Sequence, residues 1–251
     1  MSLIVNLSTT HDYSIDETVA GFVKLCNKYS HGCLQSMPRF FQNGTNYMWV
    51  MAQYHLNYKS LIEPYKLGDI STAQFLDNLT EIFYFMKDLD ADVRNNLLTE
   101  AWNASIKISE NTQDRLNQLV IKAKSEPVYL ISNTNELNVQ AIFNLFKEQY
   151  PELKFKEGIN ISIKNDKEPV EILPNIFLCL SYRYKTFKTE NLTTVSLLEE
   201  LVKHNEGQDI TVVSQFAGDL KKAEQLGITN IQKAEDFFLS ETIDLSIKKV
   251  I

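Results

Sequence analysis

Polar residues capable of chemistry gather where short apolar runs end. The stretch LIVNLSTTHD (residues 3–12) leaves an apolar run at Asn6 and Ser8 and holds no carboxylate before Asp12. VYLISNTNE (128–136) ends its run at Ser132 and Asn133, and VVSQFAGD (212–219) at Ser214 and Gln215, with Asp219 beyond. Amides and hydroxyls suit the binding of a polar group. They suit bond breaking poorly: an amide oxygen is a weak nucleophile, and a serine hydroxyl does not replace a carboxylate as acid and base near neutral pH. Mg²⁺ prefers hard, charged oxygen ligands, and most of these are neutral. His11 is the only histidine near the first run, and as a lone loop residue it is expected to be solvated. Cys26, His31 and Cys33 lie close together but match no standard zinc spacing and lack a fourth ligand nearby. They are expected to be small residues of a helical bundle.

The elements that must position these groups show in the apolar pattern. Leu3–Leu7, Val128–Ile131, Ile176–Leu180 and Ile210–Val213 are near-continuous apolar runs. Such runs mark parallel strands buried on both faces, with polar groups at their C-terminal ends. A helical spacing of apolar residues follows the last three: Ile142, Leu145 and Phe146; Leu197, Leu198 and Leu201; Leu220, Ala223 and Leu226, the last closed by Gly227. Strand, loop and helix repeated in this way imply right-handed crossovers and a doubly wound, mainly parallel, Rossmann-like α/β sheet. Ligands of such sheets sit at the carboxyl ends of the strands.

Residues 14–111 read differently, as an all-helical segment inserted after the first strand. Phe75, Leu76, Leu79, Ile82, Phe83 and Met86 keep helical spacing, and Ser71 suits the N-cap of their helix. Phe40, Phe41, Tyr47, Trp49 and residues 83–85 are read as bundle core. The expected organisation is therefore a core of residues 1–13 and 112–251 and a helical cap of residues 14–111. Residues 155–173 alternate around KNDKE and are expected to form a β-hairpin.

Composition narrows the function classes. The chain has 251 residues, 44% of them hydrophobic, and a formal net charge of −7. That composition is rich enough to bury a substantial core, and the acidic balance without basic tracts argues against a nucleic-acid partner. Three cysteines suggest a reducing, cytoplasmic setting. No run is apolar and long enough for a membrane span, and the N-terminus lacks a secretory pattern.

The order LIVNLSTTHD, helical insertion, VYLISNTNE, LSYRYKTFKTE and ITVVSQFAGDLKKAEQLGI resembles the haloacid-dehalogenase-like (HAD) hydrolase superfamily. It is closest to the branch with a small helical (C1) cap, which includes sugar-phosphate phosphatases and epoxide-hydrolase N-domain-like proteins. LGDISTAQFLDNL and EAWNASI in the insertion add to that likeness. The resemblance places Asn6 and Ser8 where the family keeps its nucleophilic and its acid/base aspartates. It makes Ser132, followed by Asn133, the phosphoryl-binding motif and Lys188 the charge-steadying lysine, although the usual Lys-Pro-Asp is Lys-Thr-Glu here. Ser214 and Gln215 stand where an acidic pair would hold Mg²⁺, and Asp219 stands where relatives carry Asn or Asp.

The resemblance thus implies a pseudophosphatase with its phosphate-holding residues retained and its acids lost. Ser132, Asn133 and Lys188 would bind an anionic, phosphate-bearing small molecule, and the cap would be available to a protein partner. No catalytic residue is intact on this reading, and no cofactor is expected. The alternatives are a working phosphatase with altered chemistry, which would need Mg²⁺ with Asp219 as its remnant ligand, and a scaffold or oligomerisation module.

Overall fold

The structure, a computed structural model, describes residues 1–30, 39–162, 167–187 and 196–240. The chain opens with β1 (Ser2–Asn6), whose residues are all buried, and a 3₁₀ turn, Leu7–Thr9. A short β2 (Asp12–Tyr13) leads into the helical insertion: α1 (Ile15–Tyr29), α2 (Arg39–Leu56), a π-helical turn (Tyr58–Ile62), α3 (Glu63–Lys66), α4 (Thr72–Ile82) and α5 (Ala91–Asn103). The insertion ends at β3 (Ile106–Lys107), which pairs antiparallel with β2. Its second strand, β3, falls within the span read as all-helical, because a pair so short leaves no alternation to detect.

The chain then winds through α6 (Thr112–Lys122), β4 (Val128–Ser132), α7 (Glu136–Gln149), β5 (Val170–Leu173), β6 (Ile176–Leu180) and α8 (Ser181–Tyr184). It finishes with α9 (Leu197–His204), β7 (Ile210–Ser214), α10 (Ala217–Gln225), β8 (Asn230–Lys233) and helical residues 234–240. The sheet order is β5-β6-β4-β1-β7-β8, parallel except for β5. This is the doubly wound α/β architecture expected, with a helical insertion after the first strand. β1 pairs with β4 on one side and β7 on the other, so the order reverses there and a crevice opens at the strand ends.

Three apolar clusters hold the molecule. Leu3, Val5, Leu130, Phe146 and Leu178 pack one face of the sheet, and Ile4, Ile131, Cys179, Leu198 and Val212 the other. A separate cluster fills the insertion, with Phe75 stacked on Tyr65 and edge-on to Trp102. Cys26 is buried in that cluster, as expected for a packing residue, whereas His31, Cys33, Phe40 and Phe41 fall outside the residues whose side chains are described. Ser71 caps α4 in a reciprocal box with Gln74, and Gly227 follows α10 at φ +79°. Both are the caps that the residue types call for.

Two expectations need correction. Among the described residues of 155–173 only Val170–Leu173 is a strand, and it forms a hairpin with β6 around Pro174 and Asn175; residues 163–166, within the expected turn, lie outside the described residues. Asn175 takes φ +61°, a turn conformation that Asn tolerates, and Phe155 and Ile161 instead pack on the sheet core. Not every aromatic of the insertion is core: Tyr84 is exposed and Tyr47 largely so, while Phe83 is buried.

Candidate functional site

The ends of β1, β4 and β7 surround a cavity of about 420 Å³. Asn6, Ser8 and His11 line it from β1 and the loop beyond, Ser132 to Asn135 from β4, and Gln215, Phe216 and Asp219 from the β7–α10 turn. Lys66 reaches the same cavity from the insertion. The structure thus brings together Asn6, Ser8, Ser132, Asn133, Gln215 and Asp219, and hydrogen bonding adds Ser214 beneath them. Lys188 lies outside the described residues.

Asn6 is the centre of this arrangement. It is buried at the end of β1 and caps the 3₁₀ turn, its Oδ1 accepting from the Ser8 backbone N–H at 3.1 Å. The Ser8 hydroxyl also donates to Oδ1, at 2.8 Å, and accepts from Gln215 Nε2 at 3.3 Å. A backbone N–H can only donate, so it fixes which end of the amide faces it. The Nδ2 end must then face Asp219, where it donates to Oδ2 at 2.7 Å. The opposite orientation would set a carbonyl oxygen against a carboxylate.

The Ser214 hydroxyl donates to the same Oδ2 at 2.7 Å and accepts from the Phe216 N–H at 3.1 Å. Asp219 sits in the first turn of α10, where the N-terminal amides and the helix dipole favour a negative charge. Asp219 is buried, and those two neutral donors and the helix end compensate its charge in part. Among the described residues, no group of three or more His, Cys, Asp or Glu is placed to hold a metal ion.

The wall at β4 is tied to the insertion. Asn135 caps α7 by accepting from the Asn138 N–H at 3.0 Å, and Trp102 Nε1 from α5 donates to Asn138 Oδ1 at 2.9 Å. Thr72 donates to Glu136, and the Leu137 N–H donates to the Tyr65 hydroxyl at 3.3 Å. Burial pushes the Tyr65 phenol well above its ordinary value, so it stays neutral and serves these bonds as an uncharged hydroxyl.

His11 and Lys66 are among the cavity residues that the sequence pattern does not mark. His11 is buried in the cavity wall, not solvated: it lies just beyond the 3₁₀ turn that follows β1, at the strand ends where the cavity opens. Lys66 carried no local signal except its place two residues before Gly68, in a turn that must approach the core closely.

A doubly wound sheet with a helical insertion after its first strand, and a polar cleft at the switch point, defines the architecture of HAD-like hydrolases. The chain has that fold. A HAD family enzyme from Bacteroides thetaiotaomicron, solved as a complex with magnesium and inorganic phosphate, matches it with a TM-score of 0.59 at 16% identity over 92% of each chain. A magnesium complex of that enzyme matches with a TM-score of 0.58 at 16% identity, over 92% of this chain and 91% of the other. A predicted HAD-like family hydrolase from Porphyromonas gingivalis gives 0.51 at 14% identity, over 92% of this chain and 89% of its own. No protein-family model and no curated protein matches the sequence.

Among the described residues, no helix is long and apolar enough to cross a membrane.

Proposed function

We propose that this protein is a pseudophosphatase: a HAD-like fold that binds a phosphate-bearing or similar anionic small molecule without hydrolysing it. The observation that carries this reading is the Asn6 amide, which donates to Asp219 from the end of β1. An enzyme of this fold that works through an aspartyl-phosphate needs a free carboxylate at that point. Here the position is neutral, and both ends of the amide are committed to hydrogen bonds.

The donor set does not fit Mg²⁺. Asp219 is the only carboxylate of the set, and its Oδ2 already accepts from two donors. Asn6 turns an N–H, not an oxygen, toward it. The amide N–H donates to that carboxylate, which lowers what a cation would gain beside it. The ligand wall on this reading is the β4 end, Ser132 and Asn133, which line the cavity just before the N-terminus of α7, where hydroxyls, amides and the helix dipole favour an anion. Lys188 belongs to the same proposal on the strength of its place in the sequence. Two free, buried cysteines, Cys26 and Cys179, support a reducing, cytoplasmic-type setting.

The test is a phosphate-ester hydrolysis panel with and without Mg²⁺, on the natural chain and on an Asn6→Asp/Ser8→Asp/Ser214→Asp/Gln215→Asp variant. A silent natural chain beside a variant that gains Mg²⁺-dependent turnover is the expected result. Mg²⁺-dependent turnover by the natural chain would overturn the proposal and make the protein a phosphatase.

A further inference from the structure

We propose that Lys66 is the insertion's anion-binding residue, closing the core cavity over a phosphate monoester or like oxyanion opposite Ser132 and Asn133. This rests on the binding function proposed above and adds to it a ligand contact from the helical insertion.

The first support is placement. Lys66 ends α3 and lines the cavity whose other walls come from the strand ends. Its backbone is tied to the phosphate-side loop: the Ser181 hydroxyl shares its hydrogen between the Lys66 carbonyl at 2.8 Å and the Thr134 carbonyl at 3.1 Å. The same hydroxyl accepts from the Thr134 N–H at 3.0 Å. One serine therefore fixes Lys66 relative to residues 132–135. The turn after Lys66 is pressed against the core, since a Cβ on Gly68 would stand 2.1 Å from the Tyr182 carbonyl oxygen. Gly68 also takes φ +71°. Only glycine fits both conditions, so the lysine is held on a rigid, close mount.

The second support is charge. The carboxylates nearest in sequence are engaged elsewhere: Glu63 pairs with Lys59 at 2.6 Å and Asp69 with Lys185 at 3.7 Å. Lys66 makes no ion pair among the described residues, and its Nζ lies 5.9 Å from the Tyr58 ring centroid. Burial alone pushes its ammonium below the ordinary lysine value, with no carboxylate acting to restore it. Lys66 is half-buried, and a partly desolvated ammonium gains from an anionic partner. An oxyanion arriving in the cavity would supply the missing partner, while the β4 loop supplies neutral donors on its other side.

Isothermal titration of the full chain and of Lys66→Met and Lys66→Arg tests this, with inorganic phosphate, glucose 6-phosphate and succinate as probes. The expected result is phosphate or glucose 6-phosphate binding that weakens about tenfold to a hundredfold in Lys66→Met and recovers in Lys66→Arg. Thermal melting of Lys66→Met at or above the parent's temperature would show that the loss is not unfolding. Binding by the parent that Lys66→Met leaves unchanged overturns the role of Lys66 alone. Failure of the parent to bind either phosphate probe at millimolar concentration overturns the binding function and this inference together. Succinate bound as tightly as phosphate would overturn the assignment to phosphate esters.

Discussion

Replacing Asn6 by Asp tests the polar network most directly. The substitution turns the Nδ2 donor, 2.7 Å from Asp219 Oδ2, into a second buried carboxylate oxygen. Two unit charges relaxed to about 4 Å repel by about 4 kcal/mol at an effective dielectric of about 20. The alternative is to protonate one of them. That costs about 1.4 kcal/mol for each pH unit above an ordinary carboxyl value near 3.9, hence about 4 kcal/mol at about pH 7. The two routes converge, so the variant should lose about 4 kcal/mol near pH 7. Near pH 5 protonation costs only about 1.5 kcal/mol, and the loss should shrink accordingly. Urea denaturation of parent and variant at both pH values measures this. Millimolar Mg²⁺ should stabilise the variant, by bridging the paired carboxylates, and leave the parent unchanged. An unchanged midpoint near pH 7, or a loss of the same size at both pH values, would refute the placement of the amide against Asp219.

Gly68→Ala should destabilise the protein by about 2 kcal/mol or more in a urea melt, because the new Cβ meets the Tyr182 carbonyl and φ is positive. Trp102→Phe keeps most of the ring packing against Phe75 but removes the bonds to Asn138 and Asn135. It should cost about 2 kcal/mol, read by thermal melting, and loosen the insertion from α7 as seen in amide exchange of residues 135–138. Glu199 is held below the ordinary carboxyl value by the Ser196 backbone N–H first and the Lys222 ammonium second. Its folded-state value is depressed, so its contribution is present above about pH 4.5 and disappears as pH falls through the depressed value. Glu199→Gln should therefore lower stability by about 1 kcal/mol near neutral pH, and the gap to the parent should close only below that ordinary value.

Much of the core was legible in the chain. β1, β4, β6 and β7 are near-continuous apolar runs, and burial on both faces demands that pattern. β8 gave no such sign. Asn230–Lys233 is an edge strand with polar, partly exposed residues, and its place is set by pairing with β7. The β5–β6 hairpin was not legible, because its turn needs only Pro174 and an Asn at positive φ. Of the cavity, the residues just past each strand were readable, since strand ends in a doubly wound sheet converge at the switch point. His11 and Lys66 were not, because neither occupies such a position.

The chemistry available at the first strand was settled by residue type: Asn6 has no carboxylate to attack with, whatever surrounds it. So were the caps at Ser71 and Gly227, which depend on bonds within a few residues. The pairing of Asn6 with Asp219, 213 residues apart, was not contained in either residue. An amide can face either way, and only the Ser8 N–H on one side and the carboxylate on the other orient it. Lys66 likewise has a meaning only in space. Its surroundings are made by the core it leans on, and the loss of water around an ammonium is a property of the assembled cavity, not of a residue or its neighbours in the chain.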